Sequence, residues 1–231
     1  MTLRSLHLHN SEFKVQNFNN DFLLIHAKEE GTLATLGELI YEKKFDFIDE
    51  VIVTEREICL KLNGLFDAPK IDLFATLQPS NQQAVNTYRL PIYFSDHEDW
   101  QDVSRVTGLS KEEIIHQLLA TDFTVAMFGF LPGFIYLDGL PKALHVPRKS
   151  VPAKYVKANS VAIGGKYLGL YALDSPGGWH VIGQVPVSIL QIPQLPPLPL
   201  NLEDRIRCTQ ITSEEFAQIN AQQLNLIAYN A

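Results

Sequence analysis

The segment Pro147-Arg148-Lys149 places a guanidinium directly after a residue whose φ is fixed, an arrangement suited to bidentate capture of a carboxylate or phosphate. Two Gly/Pro turns that carry aromatic rings flank it in the sequence. Gly129-Phe-Leu-Pro-Gly-Phe-Ile-Tyr136 contributes Phe130, Pro132, Gly133, Phe134 and Tyr136, and Ser175-Pro-Gly-Gly-Trp contributes Ser175, Pro176, Gly177, Gly178 and Trp179. In the second turn a proline restricts φ, two glycines release it, and an indole follows, so the backbone is shaped to approach a ligand that Trp179 covers. The competing reading makes these rings barrel core and these glycines ordinary turns; for Phe130 taken alone it is the preferred one. His116 lies among Ile114, Ile115, Leu118 and Leu119 in a helical pattern and is either a general acid or base facing the site or a satisfied core histidine.

Other chemical signatures fail on spacing. Gly164-Gly165-Lys166-Tyr167 resembles the end of a phosphate-binding loop, but Ser160 stands where the first glycine belongs and Tyr167 where a metal-binding hydroxyl belongs. His7 and His9 share one face of a possible strand without a third ligand at matching spacing, so no metal site is expected. Asp174, Ser175 and His180 have the residue types of a catalytic triad, yet they crowd into one turn with no nucleophile elbow.

These residues need a scaffold, and 231 residues with 46% hydrophobic and 19% charged side chains can bury one without staples. A formal charge of -7 and the absence of any basic run argue against nucleic acid or an anionic membrane as partner. Cys59 and Cys208 are far apart in apolar stretches, as packed reduced thiols are. The start, MTLRSLHLHN, lacks an apolar run of signal-peptide length, and Gly/Pro residues interrupt the uncharged tracts 123–137 and 186–202; a cytoplasmic location is expected.

Residues 1–84 read as a mixed α+β domain: a strand over Asp21–Ala27, a helix over Thr32–Lys44, a strand pair at Phe47–Val53 and Glu57–Leu62, and a helix after Pro69 with Ile71, Leu73, Phe74 and Leu77 apolar. The polar stretch Gln78–Asn86 is the expected linker. Residues 85–231 open with a strand, Tyr88–Phe94, and two helices, Asp99–Thr107 and Ser110–Ala120, the second capped by Ser110 with Glu113. Short strands at Phe123–Phe130, Val161–Gly164, Gly169–Leu173, Trp179–Val185 and Ile206–Ile211 then alternate with turns, the texture of a closed or nearly closed β-barrel, before a helix over Glu214–Asn220 capped by Ser213.

The strings GFLPGFIYLDGLP, HVPR, SVAIGG, LGLY, SPGGWHVIGQVP and EDRIRCTQI, in this order, resemble the KipI family, also called allophanate hydrolase subunit 1 or the B component of bacterial 5-oxoprolinase. The resemblance implies a ferredoxin-like N-terminal domain followed by a cyclophilin-like barrel. It also implies one member of a heteromeric enzyme, working with a homologous barrel component, C, and a third component, A, in ATP-dependent opening of 5-oxo-L-proline, a small lactam, to L-glutamate, with magnesium accompanying the nucleotide. By the same resemblance His116 and Arg148 are catalytic candidates, and the residues of the two turns are the substrate-binding candidates. The KipI name carries an alternative, a regulator whose aromatic groove receives a segment of a sensor histidine kinase. The family pattern has a second Pro-Arg pair where this chain has Pro152-Ala153, with Lys154 the nearest cation. It has Gly where Asn159 stands, Arg where Gln184 stands, and Gly-Asp where Glu203-Asp204 stands.

Overall fold

The computed structural model describes residues 3–8, 11–27, 32–54, 56–64, 68–77, 85–191, 198 and 200–230. His9 and most of the expected linker, residues 78–84, lie outside them. The chain divides into two compact units, 1–84 and 85–231.

The first unit is a five-stranded antiparallel sheet with helices on one face. Its elements are β1 (Leu3–Leu8), β2 (Ser11–Phe18), β3 (Phe22–Ala27), α1 (Thr32–Lys43), β4 (Ile48–Val53), β5 (Glu57–Leu62) and a 3-10 helix (Ala68–Thr76), with strand order β1-β2-β3-β5-β4. β5 pairs antiparallel with both β3 and β4, so β3-α1-β4 is a crossover whose gap β5 fills. Period-two burial puts Phe13, Val15, Leu23, Ile25, Ile58 and Leu60 on one face, where they meet Leu33, Leu36 and Ile40 of α1. Of the hairpin β1-β2 the sequence suggests only the possible strand that carries His7, since in SEFKVQNF only Phe13 and Val15 carry the inward alternation. α1 stops one residue early because Lys44 turns left-handed, with φ 51°. The helix after Pro69 is 3-10 because Ile71, Phe74 and Leu77 recur every third residue and eclipse on a three-residue turn, which leaves Leu73 exposed.

The second unit contains β6 (Thr87–Ile92), α2 (Asp99–Thr107), α3 (Lys111–Leu119), β7 (Asp122–Phe128), β8 (Ile135–Asp138), β9 (Ala153–Val156) and β10 (Ser160–Gly164). It continues through β11 (Tyr167–Leu170), β12 (Ser175–Gly177), β13 (His180–Gln184), β14 (Arg205–Gln210), α4 (Ser213–Ala221) and α5 (Leu226–Asn230). Seven strands form a curled sheet in the order β13-β10-β11-β8-β7-β14-β6, with only the β14–β6 pair parallel, while β9 and β12 form a separate ribbon. The two edges of the sheet meet at one end: Tyr93 N–H donates to Gln184 O at 2.9 Å and Gln184 N–H to Tyr93 O at 3.0 Å. The sheet is therefore partly closed, and Leu90, Ile92, Val125, Leu137, Ile163, Leu168 and Ile182 fill its core, under Ile114 and Leu118 of α3.

Local sequence chemistry accounts for several joints. Ser110 and Glu113 form the expected reciprocal cap of α3. At α4 the capping residue is Thr212 instead of Ser213, because Glu215 stands three positions after Thr212 and completes the reciprocal pair. Asn159 holds φ 62°, a left-handed turn that asparagine tolerates. Glu203 holds φ 70° ahead of Asp204, whose buried carboxylate accepts the N–H groups of Asn86 at 2.9 Å and Asn201 at 2.8 Å. Among the described residues no helix is long and apolar enough to cross a membrane.

Closure of the sheet leaves no room beside Gly183, where a Cβ would lie 2.7 Å from Tyr93 O and 2.9 Å from Ile92 Cγ2. Gly183→Ala is expected to destabilise the second unit by roughly 1–3 kcal/mol, read as a lower urea midpoint; an unchanged midpoint would show that the closure yields freely.

Candidate functional site

Phe134 is the hub of an aromatic cluster in the second unit. Its ring meets Tyr171 at 4.9 Å and 90°, Trp179 at 5.4 Å and 89°, Tyr136 at 4.8 Å and 63°, and Phe130 at 5.5 Å and 87°, all edge-to-face. The turn from β7 to β8 delivers it. Phe130 at φ 68° and Gly133 at φ 77° reverse the chain, Leu131 N–H donates to Gly129 O, and a Cβ on Gly133 would stand 2.8 Å from the Ala172 methyl. Pro132 lies at the tip, exposed. Phe130 is 60% exposed, so the core reading fails for it, while Phe134 is fully buried.

Trp179 is buried, and its indole fills the space that two glycines leave on neighbouring strands. A Cβ on Gly169 of β11 would lie 2.5 Å from its Cζ3, and one on Gly164 of β10 would overlap the centre of the indole. The lid expected of Trp179 is thus a packed wall. The glycines before it also act differently from the expectation: neither Gly177 nor Gly178 takes a left-handed backbone. Gly177 is needed for space, since a Cβ there would strike the Tyr171 hydroxyl, and Ser175-Pro176-Gly177 is strand β12, paired with β9. Ser175 is buried and Pro176 exposed. The triad types separate, because Asp174 accepts from Tyr155 Oη at 2.9 Å and from Ala158 N–H at 2.7 Å.

Arg148 reaches this cluster from outside. It is exposed, and its guanidinium carbon lies 5.9 Å from the centroid of the Trp179 ring. Burial pushes the Tyr136 phenol up against the lowering effect of Arg148. Burial pushes Tyr171 up to about 12, partly offset by a hydrogen bond from the Trp179 backbone. A fixed cation therefore stands beside phenols that stay neutral, an arrangement that can take an anion with a flat apolar body. Both neighbours of Arg148 are tied down. Pro147 O accepts from His180 Nε2 at 3.0 Å, which places the proton on that nitrogen, and Lys149 N–H donates to Gly178 O at 2.7 Å. Lys149 Nζ pairs with Asp99 Oδ1 at 2.5 Å, beside a cleft of about 410 Å³ lined by Glu98, Asp99, Gln101, Asp102, Lys149 and Ala153, among others.

His116 is not brought into this constellation: it is exposed on α3, whose buried residues are Ile114, Ile115 and Leu118. Ala153 opens onto the cleft, and Gln184 serves the sheet closure through its backbone. Sequence reasoning missed Asp99, Tyr171, Gly164 and Gly169. In the sequence Asp99 is marked only as the first residue of a helix, and the glycines stand inside the strings SVAIGG and LGLY without a stated partner. Among the described residues no group of three or more His, Cys, Asp or Glu side chains is placed to hold a metal ion.

Residues 14–200 match the family described as carboxyltransferase domain, subdomain C and D. The chain is 35% identical over 118 residues to the B component of 5-oxoprolinase from Bacillus subtilis (strain 168), covering 51% of this chain and 49% of that one. It is 37% identical over 136 residues to the B component of 5-oxoprolinase from Haemophilus influenzae, covering 58% and 64%. The chain spans about half the length of the curated relatives it matches. In three dimensions it is similar to a conserved uncharacterized protein from Pyrococcus horikoshii, with TM-score 0.54 and 24% identity over 87% of this chain and 99% of that one. It is also similar to the Kluyveromyces lactis urea carboxylase, with TM-score 0.68 and 16% identity over 95% of this chain and 24% of that one. These two likenesses concern the fold alone.

Gly169→Ala is expected to displace the indole, shifting Trp179 emission to the red and costing roughly 1–3 kcal/mol of stability; unchanged emission would refute the seat. Tyr171 has a pH consequence. Its folded value, about 12, lies above the ordinary 10.0, so the folded state holds that proton more tightly than the unfolded one. The stability linked to it is complete below the ordinary value and is lost as pH rises through the folded one. The urea midpoint should fall over that alkaline range, with a shallower fall in Tyr171→Phe; identical slopes in the two proteins would contradict this.

Proposed function

The chain belongs to the carboxyltransferase domain, subdomain C and D, family, in the superfamily of KipI and the 5-oxoprolinase B component, and on that premise we propose that it is the B component of an ATP-dependent 5-oxoprolinase. Its partners in this reading are a homologous barrel component, C, and a third component, A, and the complex works in the cytoplasm. Residues 1–84 form its ferredoxin-like domain and residues 85–231 its cyclophilin-like barrel. The observation that supports the reading at this chain's own site is Arg148, exposed beside Trp179 and the Tyr136 phenol.

The substrate, 5-oxo-L-proline, is a small ring with one carboxylate. Arg148 would receive that carboxylate through two parallel N–H···O bonds, with the ring against Phe130 and Tyr136. Low polarity around the rings strengthens the charge-assisted bonds and holds the lactam at one orientation. Hydrolysis adds water to the lactam carbonyl carbon, breaks the C–N bond and leaves a proton on the departing nitrogen, giving L-glutamate. The lactam is resonance-stabilised, and ATP would supply the activation: its γ-phosphoryl would pass to the amide oxygen with release of ADP, and would leave as inorganic phosphate once water has added at the carbonyl carbon. Residues Gly164-Gly165-Lys166-Tyr167 do not fit a nucleotide phosphate, because Gly164 closes against the Trp179 indole and the four residues form the β10–β11 hairpin. In this reading the nucleotide, with its magnesium, is therefore held elsewhere in the complex, and this chain contributes the anion clamp.

Arg148→Met should lower kcat/KM for ATP-dependent glutamate release from 5-oxo-L-proline by about 100-fold, or ~3 kcal/mol, in the reconstituted three-component complex. Its melting temperature should barely move, because the side chain is exposed. Wild-type turnover by the variant would remove Arg148 from the site, and an inactive wild-type complex would overturn the proposed reaction.

A further inference from the structure

We propose that Asp99 and Lys149 are positioning residues for Arg148, and that one buried carboxylate sets the distance between the guanidinium and the indole. The Asp99 side chain is 4% exposed and that of Lys149 13%, so theirs is an interior ion pair and not a solvated surface contact. The two oxygens of Asp99 serve two different segments. Oδ1 pairs with Lys149, the residue after Arg148, at 2.5 Å, and Oδ2 accepts the N–H of Val181, two residues after Trp179, at 2.7 Å. Cation and ring are thereby referred to the same anchor, which is itself fixed as the first residue of α2.

The segment between these ties has little else to hold it. Arg148, Ser150, Val151 and Pro152 are exposed, and β9 begins only at Ala153. Upstream, Pro147 O is held by His180 Nε2. Downstream, the Lys149 backbone reaches Gly178 O and its ammonium reaches Asp99. Without the ammonium's anchor, Arg148 keeps its charge but loses its fixed place over Trp179.

This inference rests on the reading of Arg148 as the anion clamp, and a readout independent of turnover separates the two. The chain has two tryptophans, Trp100 and Trp179, so Trp100→Phe leaves Trp179 as the reporter. In that background Arg148→Met should shift Trp179 emission and raise its quenching by acrylamide. The double variant Asp99→Asn/Lys149→Met removes both charges together and keeps an acceptor for Val181, so it leaves no buried charge unpaired. It should reproduce the Arg148→Met emission and quenching, and lose affinity for 5-oxo-L-proline by the same factor, while Lys149→Arg keeps the parent's values. Parental emission and quenching in the double variant, or in Arg148→Met itself, would overturn the inference. If the double variant does not fold, Lys149→Gln is measured in its place, with the same two outcomes. Equal binding of 5-oxo-L-proline by Arg148→Met and its parent would instead dismiss the anion clamp, while the fluorescence still decides the positioning.

Discussion

A tryptophan can be buried against a β-sheet only where the sheet leaves room for it, and here the room comes from two missing side chains. Gly164 and Gly169 stand on adjacent strands under the Trp179 indole, and a methyl on either one would occupy the ring's own volume. The other rings then take their places around that wall. Phe134 meets the indole edge-on, Tyr171 and Tyr136 meet Phe134, and Phe130 closes the row at the surface. Close packing makes the buried placements mutually dependent, since Phe134, Tyr171 and Trp179 cannot move without opening a void or a clash.

That wall also determines the electrostatics. The Tyr171 phenol is buried and holds its proton to about 12, so the interior side of the cluster is uncharged over the physiological range. The charges sit at its margin: Arg148 over the ring, and the Lys149–Asp99 pair one residue further along. An exposed arginine ordinarily samples many rotamers. Here its neighbours on both sides are tied to the strand that follows the tryptophan, to the residue before it, or to the start of α2, which would lower the entropy lost in the carboxylate capture proposed for the guanidinium.

The points at which this chain departs from the pattern of its relatives are absorbed in physically different ways. Asn159 takes the left-handed turn that its family position requires, while Glu203 takes one that favours glycine and is held there as Asp204 binds two backbone amides. Ala153 leaves its side of the cleft open. Gln184 retains a structural task whatever its side chain, because its backbone joins the two edges of the curled sheet.

The sequence by itself determined the mixed α+β pattern of residues 1–84, the strand-and-turn texture of residues 85–231, the Ser110 cap and the family, because each depends on local periodicity, capping chemistry or an ordered string of residues. It also marked Arg148 and the aromatic turns, since a Pro-Arg pair and Gly/Pro turns with rings are visible one segment at a time. Only the tertiary structure decided that Trp179 is wall and not lid, that Gly177 serves space and not φ, that His116 faces outward, and that Asp99 anchors the arginine's neighbour. Each of those outcomes is set by contacts between segments distant in the chain, and such contacts exist only once the strands have been paired.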